Sequence, residues 1–444
     1  MRDFAARRLK RRNVILPEKF PMFNMLKNVS SSTKFRITLL VAALGYFVDV
    51  FDIVLFLMVR VSSLTSLGLS GRELLEVGAR LYNIQLVGML IGGLIWGIIG
   101  DKIGRVQVLF GTILLYSAAN IANAFVTTVD GYAICRFISG FGLAGEVGAA
   151  VTLIAEIMSK AKRGIGTTIV ATAGTCGAIT ASLTGQIASW QNSYIIGGLL
   201  GLILLILRFG VAESGMFASV KAKTTVKRGD FRLIISSREK FISYITCILS
   251  GTPLFFTLYV LITFAPELGE GLGIQGKLVT AKASLYFTSA MAVGDFACGL
   301  FSQYLRSRKK ALFCFVTMAF VCTAILLSLN EVPAQLFYLM CIPTGFFNGY
   351  WAVYVSTVVE QFGTNLRSTT TTSVLNFVRA TPIIMSFTII ALQDTLGVVR
   401  SMQLVGLLAF GCSFYFLGKL RETFSDDLNY VEQPENTLAG KSVG

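Results

Sequence analysis

Long apolar stretches separated by short polar segments fill the chain from residue 36 onward. A helix needs about 20 apolar residues to cross a bilayer, and stretches of that length recur twelve times. The pattern therefore predicts an all-α membrane protein with twelve transmembrane helices. The predicted spans are residues 36–60, 76–100, 106–126, 131–157, 167–189, 192–212, 241–266, 279–302, 309–329, 334–360, 368–393 and 398–419.

Composition agrees with this class of protein. Of the 444 residues, 54% are hydrophobic and only 14% are charged, a balance outside the range of soluble domains. Residues 1–35 are basic and lack the apolar stretch and small-residue cleavage site of a signal peptide. We therefore expect the first span to remain as an anchor.

The distribution of basic residues predicts the orientation of the chain. Of the 39 Lys and Arg residues, 31 lie on the side of the N-terminus, 6 on the other side and 2 within spans. By the positive-inside rule, both termini are expected in the cytoplasm of a multi-pass protein of the bacterial inner membrane. The net charge of +15 then reflects topology and attraction to anionic lipid. With no folded basic domain, we expect no nucleic-acid partner, and we expect a monomer in the lipid bilayer.

Residue types that support metal or hydrolytic chemistry are scarce. All eight cysteines fall inside predicted spans as packing residues, and the chain has no histidine. This excludes Ser-His hydrolysis and histidine metal ligation, and it leaves carboxylates to carry any protons. Two glycine-rich strings, Gly140 to Gly145 and Gly271 to Lys277, mimic nucleotide motifs but lack the required context. We predict no enzyme activity, no cofactor and no metal site.

A charged turn, Gly97-Ile-Ile-Gly100-Asp101-Lys102-Ile-Gly104-Arg105, separates the second and third predicted spans. It resembles the loop between the second and third helices of the major facilitator superfamily and departs only at Val106, where that family has a basic residue. The resemblance implies two pseudo-symmetric six-helix halves with a gate at this turn. The predicted gating residues of the turn are Gly97, Asp101, Lys102, Gly104 and Arg105.

A polar segment divides the predicted spans into two sets of six. The predicted organisation is a basic cytoplasmic N-terminal segment (1–35), a first half (36–212), a cytoplasmic linker (213–240), a second half (241–420) and a cytoplasmic tail (421–444).

An internal repeat agrees with the division into halves. Its charged residues lie at predicted cytoplasmic helix ends, where charge clusters would close the inward-facing side. They are Glu156, Arg163, Glu360 and Arg367. The alternative is a set of surface charges with little energetic weight. Three residues recur 204 positions later: Gly145, Glu156 and Arg163 as Gly349, Glu360 and Arg367.

Two carboxylates in the first span are the leading candidates for proton coupling. Asp49 and Asp52 are three positions apart, so they share one face of a helix. Neighbouring carboxylates in an apolar bundle raise each other's proton affinity. The alternative is that buried arginines hold them in a static ionic bridge.

The fourth span carries a second resemblance. It reads Arg136-Phe-Ile-Ser-Gly140-Phe-Gly142-Leu-Ala-Gly145-Glu146, which is similar to the metabolite:proton symporter branch of the superfamily, with departures at Ala144 and Val147. The resemblance implies transport of a metabolite together with protons. It adds Glu146 to the candidates for proton coupling.

Two arginines lie deep in the spans, one in each half. A guanidinium matches both oxygens of a carboxylate, so Arg136 and Arg379 are candidates to hold an anionic substrate. Alternatively, Arg136 neutralises a buried acid and leaves Arg379 alone for the substrate. The other predicted substrate-binding residues are Tyr46, Asn376 and Tyr354.

Together these patterns predict a proton-coupled secondary importer of a small anionic or amphoteric metabolite, such as a carboxylate or a carboxylate-type siderophore. The fifth span lacks the Gly-Pro dipeptide typical of drug antiporters of the superfamily, which favours import. The alternatives are proton-driven efflux of a siderophore or amphipathic drug and, in another class, a non-transporting membrane sensor.

Overall fold

The structure is a computed structural model that describes residues 31–70, 72–158, 163–208, 219–221, 228–235, 237–262, 264–424 and 426–432. Residues 1–30 of the predicted N-terminal segment, residues 213–218, 222–227 and 236 of the predicted linker and residues 433–444 of the predicted tail lie outside this part.

Each predicted span is helical over most of the residues that the structure describes, and eleven helices of the described part are long and apolar enough to cross a membrane. The first six spans are Ser31–Ser66, Arg72–Ile103, Arg105–Asn123, Val129–Ile157, Arg163–Ile187 and Trp190–Leu207. The seventh comprises Arg238–Ser250, Thr252–Phe255 and a π-helix, Phe256–Leu261; the eighth and ninth are Thr280–Leu305 and Arg308–Leu326. The tenth comprises Ala334–Asn348 and Trp351–Glu360, and the last two are Arg367–Leu396 and Val398–Lys419. Two short helices, Arg232–Ile235 and Ala265–Gly271, lie outside the spans.

The tenth span is broken in the middle of the bundle. Its two helices, of 15 and 10 residues, meet at Gly349 and Tyr350, so the first amide groups of the second helix lack partners within their own helix. The buried Asp295 of the eighth span accepts a hydrogen bond from one of them, the amide of Ala352, at 3.3 Å. A buried carboxylate therefore stabilises the start of the helix that begins with Trp351.

Glycines let the two halves approach closely at one end of the bundle. We call this end the motif face, because it carries the turn from Gly97 to Arg105. A Cβ atom on Gly97 would lie 2.8 Å from the Cα atom of Thr369 in the eleventh span. A Cβ atom on Gly148 of the fourth span would lie 2.5 Å from the Cα atom of Thr372. Larger residues at these two positions would force the halves apart at the motif face.

The outer surface of the bundle is apolar. Large hydrophobic side chains such as Leu114, Ile134, Ile203, Phe387 and Leu408 are more than half exposed. An exposed apolar belt of this kind matches contact with lipid tails rather than with water.

Candidate functional site

A cavity of about 450 Å³ lies between the two halves. At its inner end the lining includes Tyr46, Trp351 and Arg379, and on the side away from the motif face it reaches Arg60 and Thr280. Thr280 is the first residue of the eighth span, and Arg60 lies near the end of the first span. The cavity therefore extends from the middle of the bundle toward the face opposite the motif face.

An ion pair between the two halves forms the inner end of the cavity. A guanidinium nitrogen of Arg379, Nη2, lies 2.8 Å from the Oδ2 atom of Asp49. The same nitrogen donates to the Tyr46 hydroxyl at 3.4 Å, and the Trp351 indole nitrogen donates to that hydroxyl at 2.6 Å. All four side chains are buried, and the two charged ones come from different halves.

This ion pair is not saturated. The Nη1 atom of Arg379 and the Oδ1 atom of Asp49 are buried and have no hydrogen-bond partner in the described part of the chain. Arg379 also lines the cavity. A buried donor without a partner costs about 1–3 kcal/mol, so Arg379 offers a ready donor to an anion that enters the cavity.

Aromatic rings form the wall next to Arg379. Phe255 meets the ring of Trp351 edge-on, with centroids 5.3 Å apart. On its other side Trp351 stacks on Tyr354, again with centroids 5.3 Å apart. Tyr354 itself does not line the cavity, because its hydroxyl donates to the carbonyl oxygen of Cys247 at 2.5 Å. Its contact with the cavity is therefore through Trp351.

Asp52 does not share the partners of Asp49. Its carboxylate accepts hydrogen bonds from Asn120 at 2.5 Å and from Ser139 at 2.8 Å, both within the first half. Arg136 donates to the Oδ1 atom of the same Asn120 at 2.7 Å. Asp52 and Arg136 thus belong to one buried network that is linked through Asn120.

Arg136 lies outside the cavity and stacks over the ring of Tyr194 at 4.7 Å. Its Nε and Nη1 atoms have no hydrogen-bond partner in the described part of the chain. Of the two interpretations of Arg136 from the sequence, this placement favours the neutralisation of a buried acid over direct contact with substrate.

Glu146 forms an ion pair that the sequence analysis did not anticipate. Its two carboxylate oxygens face the guanidinium of Arg208, with Nη1 of Arg208 at 3.0 Å from Oε2. Thr112 donates to the same oxygen at 3.3 Å, and Gly45 of the first span packs against the pair. Arg208 follows directly after the sixth helix, and its position near the end of a predicted span was the only signal of its role.

Asn376 bridges the two halves rather than lining the cavity. Its side-chain amide donates to the carbonyl oxygen of Ala144 in the fourth span at 2.8 Å. The carbonyl oxygen of Thr372, one turn earlier in its own helix, also accepts from it, at 2.7 Å.

At the motif face, Asp101 caps a helix of the other half. Its carboxylate accepts hydrogen bonds from the amides of Ser368 and Thr369 at 3.1 and 2.8 Å and from the Thr369 hydroxyl at 2.7 Å. These amides belong to the first turn of the eleventh span, where a negative charge is favoured. Asp101 also pairs with Arg105 at 3.2 Å.

A second ion-pair cluster lies next to this cap. Glu156 of the first half pairs with Arg105 at 2.9 Å and with Arg367 of the second half at 3.0 Å. All three side chains are almost completely buried. Because Arg105 also donates to the carbonyl oxygen of Thr364 at 3.0 Å, the cluster joins the halves and seals the motif face.

The other predicted gating residues lie around this cluster. Glu360 pairs with Arg308 at 3.4 Å within the second half, and Lys102 is exposed. Gly104 has a φ of 135°, a conformation that favours glycine, at the bend between the second and third spans. The side chain of Arg163 lies outside the described residues.

Comparison with known sequences identifies the family. The sequence model of the Major Facilitator Superfamily matches residues 42–386, which is most of the chain. The chain belongs to the major facilitator superfamily. It is therefore a multi-pass membrane transporter of small molecules and not an enzyme.

Individual relatives of this superfamily member are named for the transport of metabolites. The cis,cis-muconate transport protein of Acinetobacter baylyi is 27% identical over 431 residues, 92% of this chain and 98% of the relative. The putative niacin/nicotinamide transporter NiaP of Bacillus subtilis is 29% identical over 187 residues. That match spans 41% of this chain and 46% of the relative, less than half of each.

A solved structure shows the same fold. The proton:xylose symporter XylE bound to 6-bromo-6-deoxy-D-glucose matches with a TM-score of 0.70, over 90% of this chain and 98% of that chain. The sequence identity is 16%, so this likeness concerns the fold alone. It agrees with the predicted arrangement of twelve helices in two halves.

Proposed function

We propose that this transporter imports a small carboxylate together with a proton, and that aromatic monocarboxylates are its preferred substrates. The main support is the Asp49–Arg379 ion pair at the inner end of the cavity, in which Oδ1 of Asp49 and Nη1 of Arg379 have no partner in the described part of the chain.

Charge balance links the substrate to the proton. The pair of Asp49 and Arg379 is neutral, so an anion that binds Arg379 adds one negative charge to a buried apolar site. An uncompensated charge within a membrane costs about 2.5–3.5 kcal/mol or more. The carboxylate of the substrate can replace the Asp49 carboxylate as the partner of Arg379. If Asp49 takes up a proton at the same time, the site stays neutral throughout. This exchange of partners couples one anion to one proton.

The end of the bundle that is sealed indicates which state of the transport cycle the structure represents. The positive-inside pattern predicts that the motif face is cytoplasmic. The cluster of Asp101, Arg105, Glu156 and Arg367 closes that face, and the cavity reaches toward the opposite side. This is the arrangement of an outward-facing state ready to receive an external substrate. Rocking of the halves around the cavity would then expose the site to the cytoplasm.

The shape of the cavity supports an aromatic substrate. A planar ring would lie against Trp351 and Phe255, while its carboxylate reaches Arg379. Aromatic pairs stabilise by about 0.5–1.5 kcal/mol beyond the area that they bury. The relative that is named for niacin/nicotinamide transport supports an aromatic ring in the substrate, because both compounds contain a pyridine ring, although only niacin carries a carboxylate.

Uptake into proteoliposomes tests this function with a matched pair of compounds. Nicotinate and nicotinamide share one ring, but only nicotinate carries the carboxylate. With an acidic exterior, we expect the purified protein to accumulate labelled nicotinate and not nicotinamide, and dissipation of the pH gradient should abolish the accumulation. Equal transport of both compounds would overturn the carboxylate assignment. If protons enter the vesicles while nicotinate leaves them, the protein is a proton-driven exporter instead.

A further inference from the structure

The chain segment after the twelfth span lies across the motif face. We call residues 421–424 and 426–432 the tail strap. Its first anchor is Glu422, whose carboxylate accepts hydrogen bonds from the amides of Arg308 and Lys309 at 2.9 and 3.2 Å and from the Ser307 hydroxyl. Ser307, Arg308 and Lys309 lie at the start of the ninth span. Glu422 therefore caps the N-terminus of that helix, where a negative charge is favoured.

The other end of the tail strap pairs with the loop before the eleventh span. Asn365 donates to the carbonyl oxygen of Glu432 at 3.1 Å and accepts from its amide at 2.8 Å. The amide of Gly363 donates to the Glu432 side chain at 3.1 Å, and the amide of Thr364 donates to the carbonyl oxygen of Tyr430 at 2.9 Å. The Glu432 carboxylate also pairs with Lys240, at 3.4 Å.

The centre of the tail strap reaches the gating cluster itself. Leu428 is fully buried, and its carbonyl oxygen accepts from Nη2 of Arg367 at 2.6 Å and from the Thr364 hydroxyl at 3.0 Å. The Nη1 atom of the same guanidinium lies 3.0 Å from Glu156 in the other half. Arg367 is therefore held from one side by the tail strap and from the other side by the first half.

We propose that the tail strap is a working part of the gate: it positions Arg367 for Glu156 and thereby stabilises the closed motif face. Without Leu428, a fully buried guanidinium nitrogen would lose its carbonyl partner, and the loop of residues 361–366 would lose the hydrogen bonds that shape it. The proposal rests on the proposed function only in that the closed motif face is one state of the transport cycle.

The hydrogen bond to the charged guanidinium determines how far removal of the tail strap should shift the ratio of closed to open motif face. Such bonds contribute enough to shift a two-state equilibrium by about tenfold or more. Removal of the tail strap should therefore shift the ratio of closed to open motif face by about tenfold toward the open state.

Two truncations of the full-length protein form a matched test. One ends after Leu420 and removes the tail strap, and the other ends after Glu432 and keeps it. Spin labels at Gln107→Cys and Arg306→Cys, in a background without the eight native cysteines, report the separation of the halves at the motif face. The first truncation should populate longer distances, whereas the second should match the full-length chain. A correctly folded first truncation with unchanged distances would overturn the proposal.

A point variant serves if the shorter truncation fails to fold. Glu432→Ala removes the acceptor for Gly363, while Glu432→Gln keeps an oxygen that can accept the same bond. The alanine variant should shift the label distances toward the open state, and the glutamine variant should restore most of the closed population. If neither variant shifts the distances, the tail strap does not act on the gate. Because label distances require no transport substrate, this outcome is separate from failure of the proposed function.

Discussion

Asp49 and Arg379 lie 2.8 Å apart and join the first span to the eleventh across the inner end of the cavity. The contact links the two halves at a place where the cavity lining also carries a cation with an unpaired nitrogen, Nη1 of Arg379. A ligand that competes for Arg379 would therefore change both the charge of the cavity and the connection between the halves. In the proposed function, substrate binding, proton transfer and the change of conformation all involve this pair.

Replacement of Arg379 should weaken substrate binding. Charge-assisted hydrogen bonds contribute about 1.5–3 kcal/mol, so we expect Arg379→Ala to raise the dissociation constant of nicotinate by roughly 10-fold to 100-fold. Isothermal titration calorimetry of the purified protein measures this change. The matched control is Arg136→Lys, which alters the other deep arginine, outside the cavity. It should leave the affinity within about twofold and lower the melting temperature instead. Similar losses of affinity in both variants would argue against a specific role for Arg379.

Substitution in the charged turn should open the motif face. Asp101→Asn removes the negative charge from the first turn of the eleventh span, and Gly97→Val places atoms where the backbone of Thr369 now lies. Asp101→Asn should raise the open population at least about tenfold, as expected when charge-assisted bonds are lost, and Gly97→Val should shift it in the same direction through the steric clash. The spin-label pair described above reports this shift. The exposed Lys102 provides the control, because Lys102→Gln should leave the distances unchanged.

The Glu146–Arg208 pair should show strong coupling in a double-mutant cycle. Loss of one partner of a buried ion pair typically costs about 3–5 kcal/mol, because the other charge remains uncompensated. Glu146→Gln and Arg208→Met should each lower the melting temperature markedly, and the double variant should be more stable than the sum of the two effects predicts. Thermal unfolding in detergent gives all four values. Strict additivity would mean that the two side chains do not depend on each other.

The attachment of the tail strap should weaken in acid. Burial acts in the opposite direction, but hydrogen bonds from Ser307, Arg308, Phe424 and Lys309 hold the pKa of Glu422 below its ordinary value. The stabilisation by the carboxylate is therefore complete above the ordinary pKa and is lost as the pH falls through the lower, folded value. Hydrogen exchange of residues 308–310 should accelerate in that acidic range. In Glu422→Gln the exchange should already be fast at neutral pH and independent of pH after correction for intrinsic rates.

Much of the fold could be predicted from the sequence, because length and hydropathy alone decide which segments cross a bilayer. All twelve predicted spans are helical, and the charged turn identified the family correctly. The break of the tenth span was not predicted. The helix that follows the break donates a hydrogen bond to Asp295, a residue about fifty positions earlier that no local pattern connects to it.

Partners across the bundle were harder to predict than positions along the chain. Helical spacing placed Asp49 and Asp52 on one face, but each is held by a different set of helices. Arg208 lies near the end of the sixth predicted span, and no helical spacing links it to Glu146, with which it pairs in the fold. The assignments of proton-coupling, substrate-binding and gating residues remain predictions, now with a defined geometry.

Proton and nicotinate movements measured together in Asp49→Asn test directly whether Asp49 carries the proton. Proteoliposomes loaded with a pH-sensitive dye report luminal acidification when nicotinate is added outside, and protein-free vesicles give the background. The wild-type protein should acidify the lumen as it accumulates nicotinate. Asp49→Asn should bind nicotinate with similar affinity, because Arg379 is free, yet should neither acidify the lumen nor accumulate the compound. Acidification by the variant at the wild-type ratio of protons to nicotinate would contradict the exchange of partners at Arg379.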